Sequence, residues 1–429
     1  MATTDNGTGW GAVLAGPLGE RALDAVAAIA QAVQRPAEAW IPTLDAEPFR
    51  IARGISLRSG SSGLALFLAY AGASVVRVPA LEEHARRMVD HAAAGIEAVE
   101  TTAGFMDGFT GVLWAMDQVA QRLGTDFPGL DETLQESCGR LLGRPVEADG
   151  YDLWSGIIGH GVFALARGGT AAADRLVADV VDRLLRLYET SLPQAPWVTQ
   201  PAFLKPRARL AHPHGFASLG VAHGVAGAVA FLAMARSRGL APESVSVICD
   251  SAWRWIIAQE TQDELGRYLP NKICPQIQPT RGMEFWCNGT PGLTAVLLTA
   301  AGHLGHEDMR AWAVARAKRT ADELTAYEFA DGCLCHGAAG LGHIFNRMAQ
   351  ATGDSRLRDA ATDLFGRTLA LRTPGRGVAG FVARGYNRDG ELCDLYEPGL
   401  MQGAAGIGLA LLAAATEQTP DWDRALLLA

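Results

Sequence analysis

Apolar residues along the chain form two kinds of helical segment that alternate. Segments of the first kind carry few charges, are rich in Ala and Gly, and follow a Gly-x-x-Gly turn. Segments of the second kind place apolar residues three and four apart, with Arg, Asp and Glu on the opposite face; they cover residues 81–98, 172–188, 244–259, 307–327 and 355–371. The first composition is typical of a helix packed on all sides, and the second of a helix with one face in water. The pattern therefore predicts inner helices surrounded by outer helices.

The Gly-x-x-Gly turn is the repeating unit of the chain. Seven such turns are followed by an apolar helical run, and we number these units in chain order by their first glycines, Gly60, Gly108, Gly156, Gly224, Gly289, Gly337 and Gly403. The closest successive turns lie about 50 residues apart, which suits two helices and two short connections. Seven outer–inner pairs predict an all-α fold, an α/α toroid whose inner helices ring a central cavity. Only residues 373–393 suggest strands, as a hairpin around Arg388-Asp389-Gly390.

Two proline-rich stretches, residues 189–215 and 261–284, lengthen the connections between repeats. We interpret them as ordered loops or small insertions over one rim of the toroid, where such loops cover a site or bind a partner. We expect residues 1–429 to form a single toroid domain, with a repeat core over about residues 50–415.

Composition limits the partners and the location of the protein. The chain has 46 Asp and Glu against 37 Lys and Arg, a net charge of −9, which argues against binding to nucleic acid or to an acidic membrane surface. The N-terminus lacks the pattern of a secretory signal, and the uncharged stretch at 215–235 contains four glycines and a histidine, so we interpret it as a buried helix without membrane insertion. Seven cysteines, an odd number, favour reduced thiols and a cytoplasmic location.

The repeat also predicts where polar side chains lie close together. The residues directly before the seven first glycines should face the mouth of the cavity; they are Ser59, Asp107, Ser155, His223, Asn288, His336 and Gln402. One position earlier, units five and six both have cysteine, Cys287 and Cys335. Adjacent inner helices would bring these two thiols to His336, a soft donor set suited to Zn²⁺. Three protein ligands leave a fourth position open, as in catalytic zinc sites.

Other roles remain open for these residues. Cys287 and Cys335 can be small buried side chains, and His336 can be a core histidine. Cys333 can replace Cys335 as a ligand, because the Cys-x-Cys-His segment offers both thiols. We interpret His343, two helical turns further along, as a core residue.

A second histidine is a candidate for proton transfer. His223 occupies in unit four the position that His336 takes in unit six, and an imidazole titrates near neutral pH. Asp152, four residues before Gly156, can orient an imidazole or cap the following helix. For Asp107, directly before Gly108, we favour the capping role.

Three segments resemble the signature of a known family. Residues 219–227 (LGVAHGVAG), 286–292 (WCNGTPG) and 335–340 (CHGAAG) look like those of the lanthionine synthetase C-like proteins, and the resemblance extends over about residues 50–415. It implies an α/α toroid of seven helix pairs. It also implies zinc ligands at Cys287, Cys335 and His336, and catalytic residues at His223 and Asp152.

The resemblance implies a zinc-dependent lanthipeptide cyclase, in which a peptide cysteine adds to dehydroalanine or dehydrobutyrine and closes a thioether ring. The partners would be a dehydrated precursor peptide and a separate dehydratase. We expect Asn288, where the bacterial cyclases commonly have Tyr, to donate a hydrogen bond to the enolate oxygen. The family's arginine four residues before the first zinc cysteine is replaced by Met283, with Arg281 nearby. These departures favour an alternative, an inactive zinc-binding scaffold in a peptide-modification complex.

Overall fold

The computed structural model describes residues 9–34, 52–74, 78, 80–127, 129–130, 132–133, 150–191, 195–275, 277–386 and 391–429. With helices numbered in chain order, the inner helices are α2 (Ser61–Gly72), α4 (Phe109–Leu123), α5 (Ile157–Arg167), α8 (Val225–Ser237), α10 (Thr290–Leu304), α12 (Ala338–Thr352) and α14 (Ala404–Ala415). The outer helices are α1 (Gly16–Ala32), α3 (Leu81–Ala98), α6 (Ala171–Ser191), α9 (Ser244–Ala258), α11 (Glu307–Glu323) and α13 (Ser355–Ala370), and α7 (Pro206–Ala211) is short. None of the helices in these ranges combines the length and the apolar character needed to cross a bilayer.

The inner helices close into a ring. Each one packs against the next along the chain, and α14 packs against α2. Helices such as α2, α8 and α14 are buried on all sides, whereas α3 buries one face and leaves its charged face in water. The predicted all-α toroid is therefore confirmed.

The outer layer contains one helix that the repeat pattern did not predict. Each inner helix from α5 to α12 packs against the outer helix that follows it, but α14 packs against the N-terminal helix α1. The backbone N–H groups of Val13 and Leu14 both donate to the carbonyl of Ala414, at 2.8 and 2.9 Å. The toroid thus includes a helix that precedes the predicted repeat core. The outer partner expected after α4 lies largely outside the described residues.

The two glycines of each turn have different tasks. The first glycine is the N-cap of its inner helix in all seven units, with an extended backbone. A Cβ on the second glycine would collide with a carbonyl oxygen of the preceding loop; in unit six, Gly340 faces the carbonyl of Leu334 in this way. Glycine is therefore required for the close contact between loop and helix.

A ring of backbone hydrogen bonds joins the seven loops at the rim where the inner helices begin. The residue two places before each first glycine accepts an N–H from a neighbouring loop, at 2.8 to 3.2 Å. In the order in which these loops follow one another around the ring, the seven acceptors are Arg58, Met106, Trp154, Ala222, Cys287, Cys335 and Met401. Met401 in turn donates to the carbonyl of Arg58 and closes the ring. This arrangement fixes which rim residues are neighbours.

Long connections lie at the same rim. Connections from an inner helix to its outer partner can be as short as two residues, as between α10 and α11, while those from an outer helix to the next inner helix hold the insertions. Strand β1 (Ala217–Ser218), just after the first insertion, pairs with β4 (Lys272–Ile273) of the second insertion, and β2 (Thr261–Asp263) pairs with β3 (Gly266–Tyr268). The predicted hairpin forms between β5 (Ala383–Tyr386) and β6 (Leu392–Leu395); its expected turn lies outside the described residues.

The C-terminal segment fills the ring from inside. Residues 421–426 form a 3-10 helix that contacts α5, and Trp422 and Asp423 are almost fully buried. Asp423 accepts a 2.8 Å hydrogen bond from His343 Nε2 and a bidentate pair from Arg347. His343 is therefore a core residue, as predicted. The indole of Trp286, next to Cys287, donates to the carbonyl of Leu426 at 3.2 Å.

A buried histidine should make the stability of the toroid pH-dependent. His160 on α5 lies 2.9 Å from the Thr110 hydroxyl oxygen, and burial lowers its pKa from 6.5 to about 4. Because the unfolded chain binds this proton first, stability is fully present above about pH 6.5 and falls as the pH drops toward 4. From pH 7.5 to 5, we expect His160 to account for a loss of about 2 kcal/mol.

Denaturant unfolding of wild type and His160→Asn at both pH values measures this contribution. The variant should lose less stability than the wild type over this interval, whatever its stability at pH 7.5. Equal losses in the two proteins would contradict the prediction.

Candidate functional site

Two cysteine side chains meet at the rim between units five and six. The neighbouring loops bring the half-buried Cys287 close to the buried Cys335, near enough for each thiol to affect the titration of the other. Interaction with Cys335 lowers the pKa of Cys287 against the effect of burial, and interaction with Cys287, together with burial, raises the pKa of Cys335 well above its ordinary value. The Cys335 thiol therefore holds its proton more tightly than the Cys287 thiol, and Cys287 ionises more readily.

The imidazole of His336 lies beside a second group of possible ligands. Donor atoms of Asp331, Cys333 and His336 all lie within 4.8 Å of one another, the one such three-residue group in the described ranges. His336 Nε2 is 4.0 Å from Asp331 Oδ2, and the imidazole centre is 5.3 Å from that of Phe285. The structure thus joins Cys287 to Cys335 and groups His336 with Asp331 and Cys333. His336 is common to the predicted ligand set and to this second one.

Asp331, which the sequence reasoning missed, also has a role in the loop. Its Oδ1 accepts the backbone N–H of Cys333 at 3.0 Å, and its Oδ2 accepts that of Arg384 in β5 at 2.9 Å. Ser218 and Glu397 occupy the same loop position in units four and seven and accept the equivalent N–H groups, at 3.3 and 3.2 Å. A polar residue six places before the first glycine therefore supports the loop. That shared position was the signal in the sequence.

His223 and Asp152 form a pair across units three and four. His223 Nδ1 donates to Asp152 Oδ2 at 2.8 Å, and Asp152 Oδ1 accepts the backbone N–H groups of Ser155 and Gly156 at 2.8 and 2.9 Å. Asp152 therefore both orients the imidazole and caps the turn. Burial lowers the pKa of His223, but the hydrogen bond and charge of Asp152, helped by the charges of Cys287 and Asp107, outweigh burial and raise it.

Asn288 is held by the loop of unit four. Its side-chain Oδ1 accepts a hydrogen bond from the Ser218 hydroxyl at 3.2 Å, and the residue is half-buried. This contact orients the amide. A hydrogen bond from Asn288 to substrate stays a prediction.

Asp107 makes different contacts from those predicted. The N-cap of α4 is Gly108, and no side chain caps this helix. The Asp107 carboxylate accepts a 2.7 Å hydrogen bond from Trp154 Nε1 and lies 3.3 Å from Arg58 Nε. The capping role was wrong because charged and polar partners from units one and three lie within reach. Arg58 was missed, although it occupies the same register as Cys287 and Cys335.

The segment before Cys287 provides no free arginine. Met283 is 58% exposed, and the Arg281 guanidinium forms a bidentate pair with Asp263 while lying 4.7 Å from the ring centre of Tyr268. Arg281 therefore supports the second insertion.

Comparison with known proteins places the chain in a family. Among solved structures, a structure of nisin cyclase superposes with a TM-score of 0.69 at 16% sequence identity, covering 88% of this chain and 92% of that chain. A sugar epimerase from a ruminal bacterium gives a TM-score of 0.43 at 12% identity, covering 85% of this chain and 88% of that chain. No curated protein matches the sequence. The profile of the lanthionine synthetase C-like proteins matches residues 52–427, and the chain belongs to this family.

Proposed function

We propose that the protein is a lanthipeptide cyclase, which closes thioether rings in a dehydrated peptide by adding cysteine thiols to dehydroalanine or dehydrobutyrine. The observation that carries the proposal is the placement of Cys287 and Cys335 on hydrogen-bonded neighbouring loops of the rim, with the His223–Asp152 pair on the adjoining units. Family membership and the likeness in fold to nisin cyclase support the same reaction.

The donor atoms at this rim fit a zinc ion. Cys287, Cys335 and His336 would hold it, since two thiols on neighbouring loops and an imidazole on the adjacent residue are soft ligands. Asp331 and Cys333 are the competing donors around His336. A bound zinc ion would supply Lewis acidity that favours thiolate over thiol near neutral pH.

His223 would deliver a proton to the product. When the peptide thiolate attacks the β-carbon, a new S–C bond forms and the electron pair of the C=C bond moves toward the neighbouring carbonyl, giving an enolate. The α-carbon must then receive one proton. Asp152 accepts from Nδ1 of His223, so Nε2 is the atom that would carry this proton to the substrate. Asn288 would donate from its amide nitrogen to the enolate oxygen, since its own oxygen is bound by Ser218.

The partners follow from the reaction. The substrate is a precursor peptide whose serines or threonines have already lost water, and we propose that a separate dehydratase supplies it.

Turnover of a dehydrated peptide tests the proposal. Incubation with the purified protein should leave the mass of the peptide unchanged, because addition is an isomerisation, while the cysteine stops reacting with an alkylating reagent. Peptide without protein measures the uncatalysed addition. A zinc-loaded protein that leaves the alkylation rate at this background on several dehydrated peptides would favour the scaffold alternative.

A further inference from the structure

Arg58 extends from the same backbone ring as the two rim cysteines. It is the residue two places before the first glycine of unit one, the register that Cys287 and Cys335 occupy in units five and six. Its carbonyl accepts from Met401, whose own carbonyl accepts from Cys335, at 3.0 and 2.8 Å. Arg58 and Cys335 are therefore separated by a single residue around the ring.

The guanidinium of Arg58 is held at the mouth of the site. Nε lies 3.2 Å from the Ser59 hydroxyl and 3.3 Å from Asp107 Oδ1, and the guanidinium carbon is 5.9 Å from the centre of the Trp154 ring. Trp154 in turn lies 5.8 Å from His223, between ring centres. A connected row of side chains thus runs from Arg58 to the His223–Asp152 pair.

The terminal nitrogens of Arg58 remain available. The contacts above use only Nε, no partner of the two terminal NH₂ groups appears among the residues that the structure describes, and 29% of the side chain is exposed. A cation whose terminal donors have no partner among the described residues therefore lies at the same rim as the Cys335 loop and the His223–Asp152 pair.

We infer that Arg58 binds the carbonyl oxygen of the dehydroamino acid and stabilises the enolate that forms on it. This inference rests on the proposed cyclase function. The peptide thiol gives up its proton and its sulfur bonds to the β-carbon, while the C=C electron pair shifts into the Cα–carbonyl bond and the C=O pair moves onto oxygen. The α-carbon then takes a proton from His223, which the proton released by the thiol replaces. A guanidinium stays charged at all working pH values and can donate two N–H groups to one oxygen. Such donors stabilise most strongly the negative charge that develops in the transition state. Asp107 holds Arg58 in position.

The arginine nearest to Cys287 in sequence is not available for this role. Arg281, the nearest in sequence, is bound to Asp263 on the second insertion. Unit one supplies a cation at the rim instead.

The test compares Arg58→Gln with Arg281→Gln in ring closure on a dehydrated peptide. Both arginines have 29% exposed side chains, an aspartate partner and an aromatic neighbour, so the second variant controls for loss of a rim ion pair. We expect Arg58→Gln to lower kcat about a hundredfold, as loss of one oxyanion donor does, with zinc content and Tm unchanged. Arg281→Gln should keep kcat within about twofold of the wild type.

A double variant separates the lost donor from the charge left behind. Arg58→Gln leaves Asp107 unpaired near His223, and Arg58→Gln combined with Asp107→Asn removes that charge as well. The double variant should stay as slow as the single one. Recovery of activity in it, an equal loss in Arg281→Gln, or a loss confined to KM would overturn the inference. In each of these cases the wild type still closes rings; an inactive wild type would instead reject the proposed function.

Discussion

Replacing Cys335 with alanine is expected to remove the zinc ion that the purified wild type should carry, about one per chain. The variant loses one of the three proposed protein ligands. Loss of an outer partner of a metal ligand already weakens metal affinity about 10–100-fold, and loss of a ligand itself should cost more. Ring closure should fall to the uncatalysed rate, because the thiol is no longer converted to thiolate near neutral pH.

Cys333→Ala is the matched control for this experiment. Cys333 lies two residues earlier in the same loop and is equally buried, with 1% exposed against 6% for Cys335. Elemental analysis of wild type and both variants should find zinc in the wild type and in Cys333→Ala, and none in Cys335→Ala. The reverse result would move the site to Asp331, Cys333 and His336. Zinc in both variants would reject both ligand sets.

The toroid could be predicted because its signal is local. Each first glycine opens a helix, each second glycine accommodates a loop carbonyl, and the polarity of the intervening segments separates inner from outer helices. The N-terminal helix α1 precedes the predicted repeat core, and its partner α14 lies at the other end of the chain. The burial of Asp423 could likewise not be predicted, because it depends on the pairing of this carboxylate with His343 and Arg347.

Site residues could be predicted where reactive side chains occupy equivalent positions in the repeat. His223 and Asp152 were expected to meet, and they do. Arg58 could not be predicted, because only the ring of neighbouring loops places this arginine near the other site residues. The Asp107 contacts could not be predicted, since they depend on side chains from two other units. The direction in which His336 points, toward Cys333 and Asp331, is also a property of packing.

Substitution of His223 should separate proton transfer from metal binding. We expect His223→Ala to lower kcat about 10²–10⁴-fold, the range for loss of a general acid or base, while zinc content stays that of the wild type. The reason is geometric: Asp152 fixes Nδ1, which leaves Nε2 to protonate the α-carbon. Without that proton the addition can reverse, so open peptide should persist in the variant.

His306→Ala is the control, because it removes a similar His–Asp pair at a different place in the fold. His306 Nε2 pairs with Asp250 Oδ1 at 2.9 Å, close to the 2.8 Å of the His223–Asp152 pair, but His306 precedes α11, at the rim opposite the site. Its loss should cost about 1 kcal/mol of stability, since its side chain caps α11, and should leave kcat within about twofold of wild type. If the two variants slow ring closure equally, or if His223→Ala loses its zinc, the proton-transfer role is wrong. A selective loss with zinc retained would support His223 as the group that completes the reaction after the thioether bond has formed.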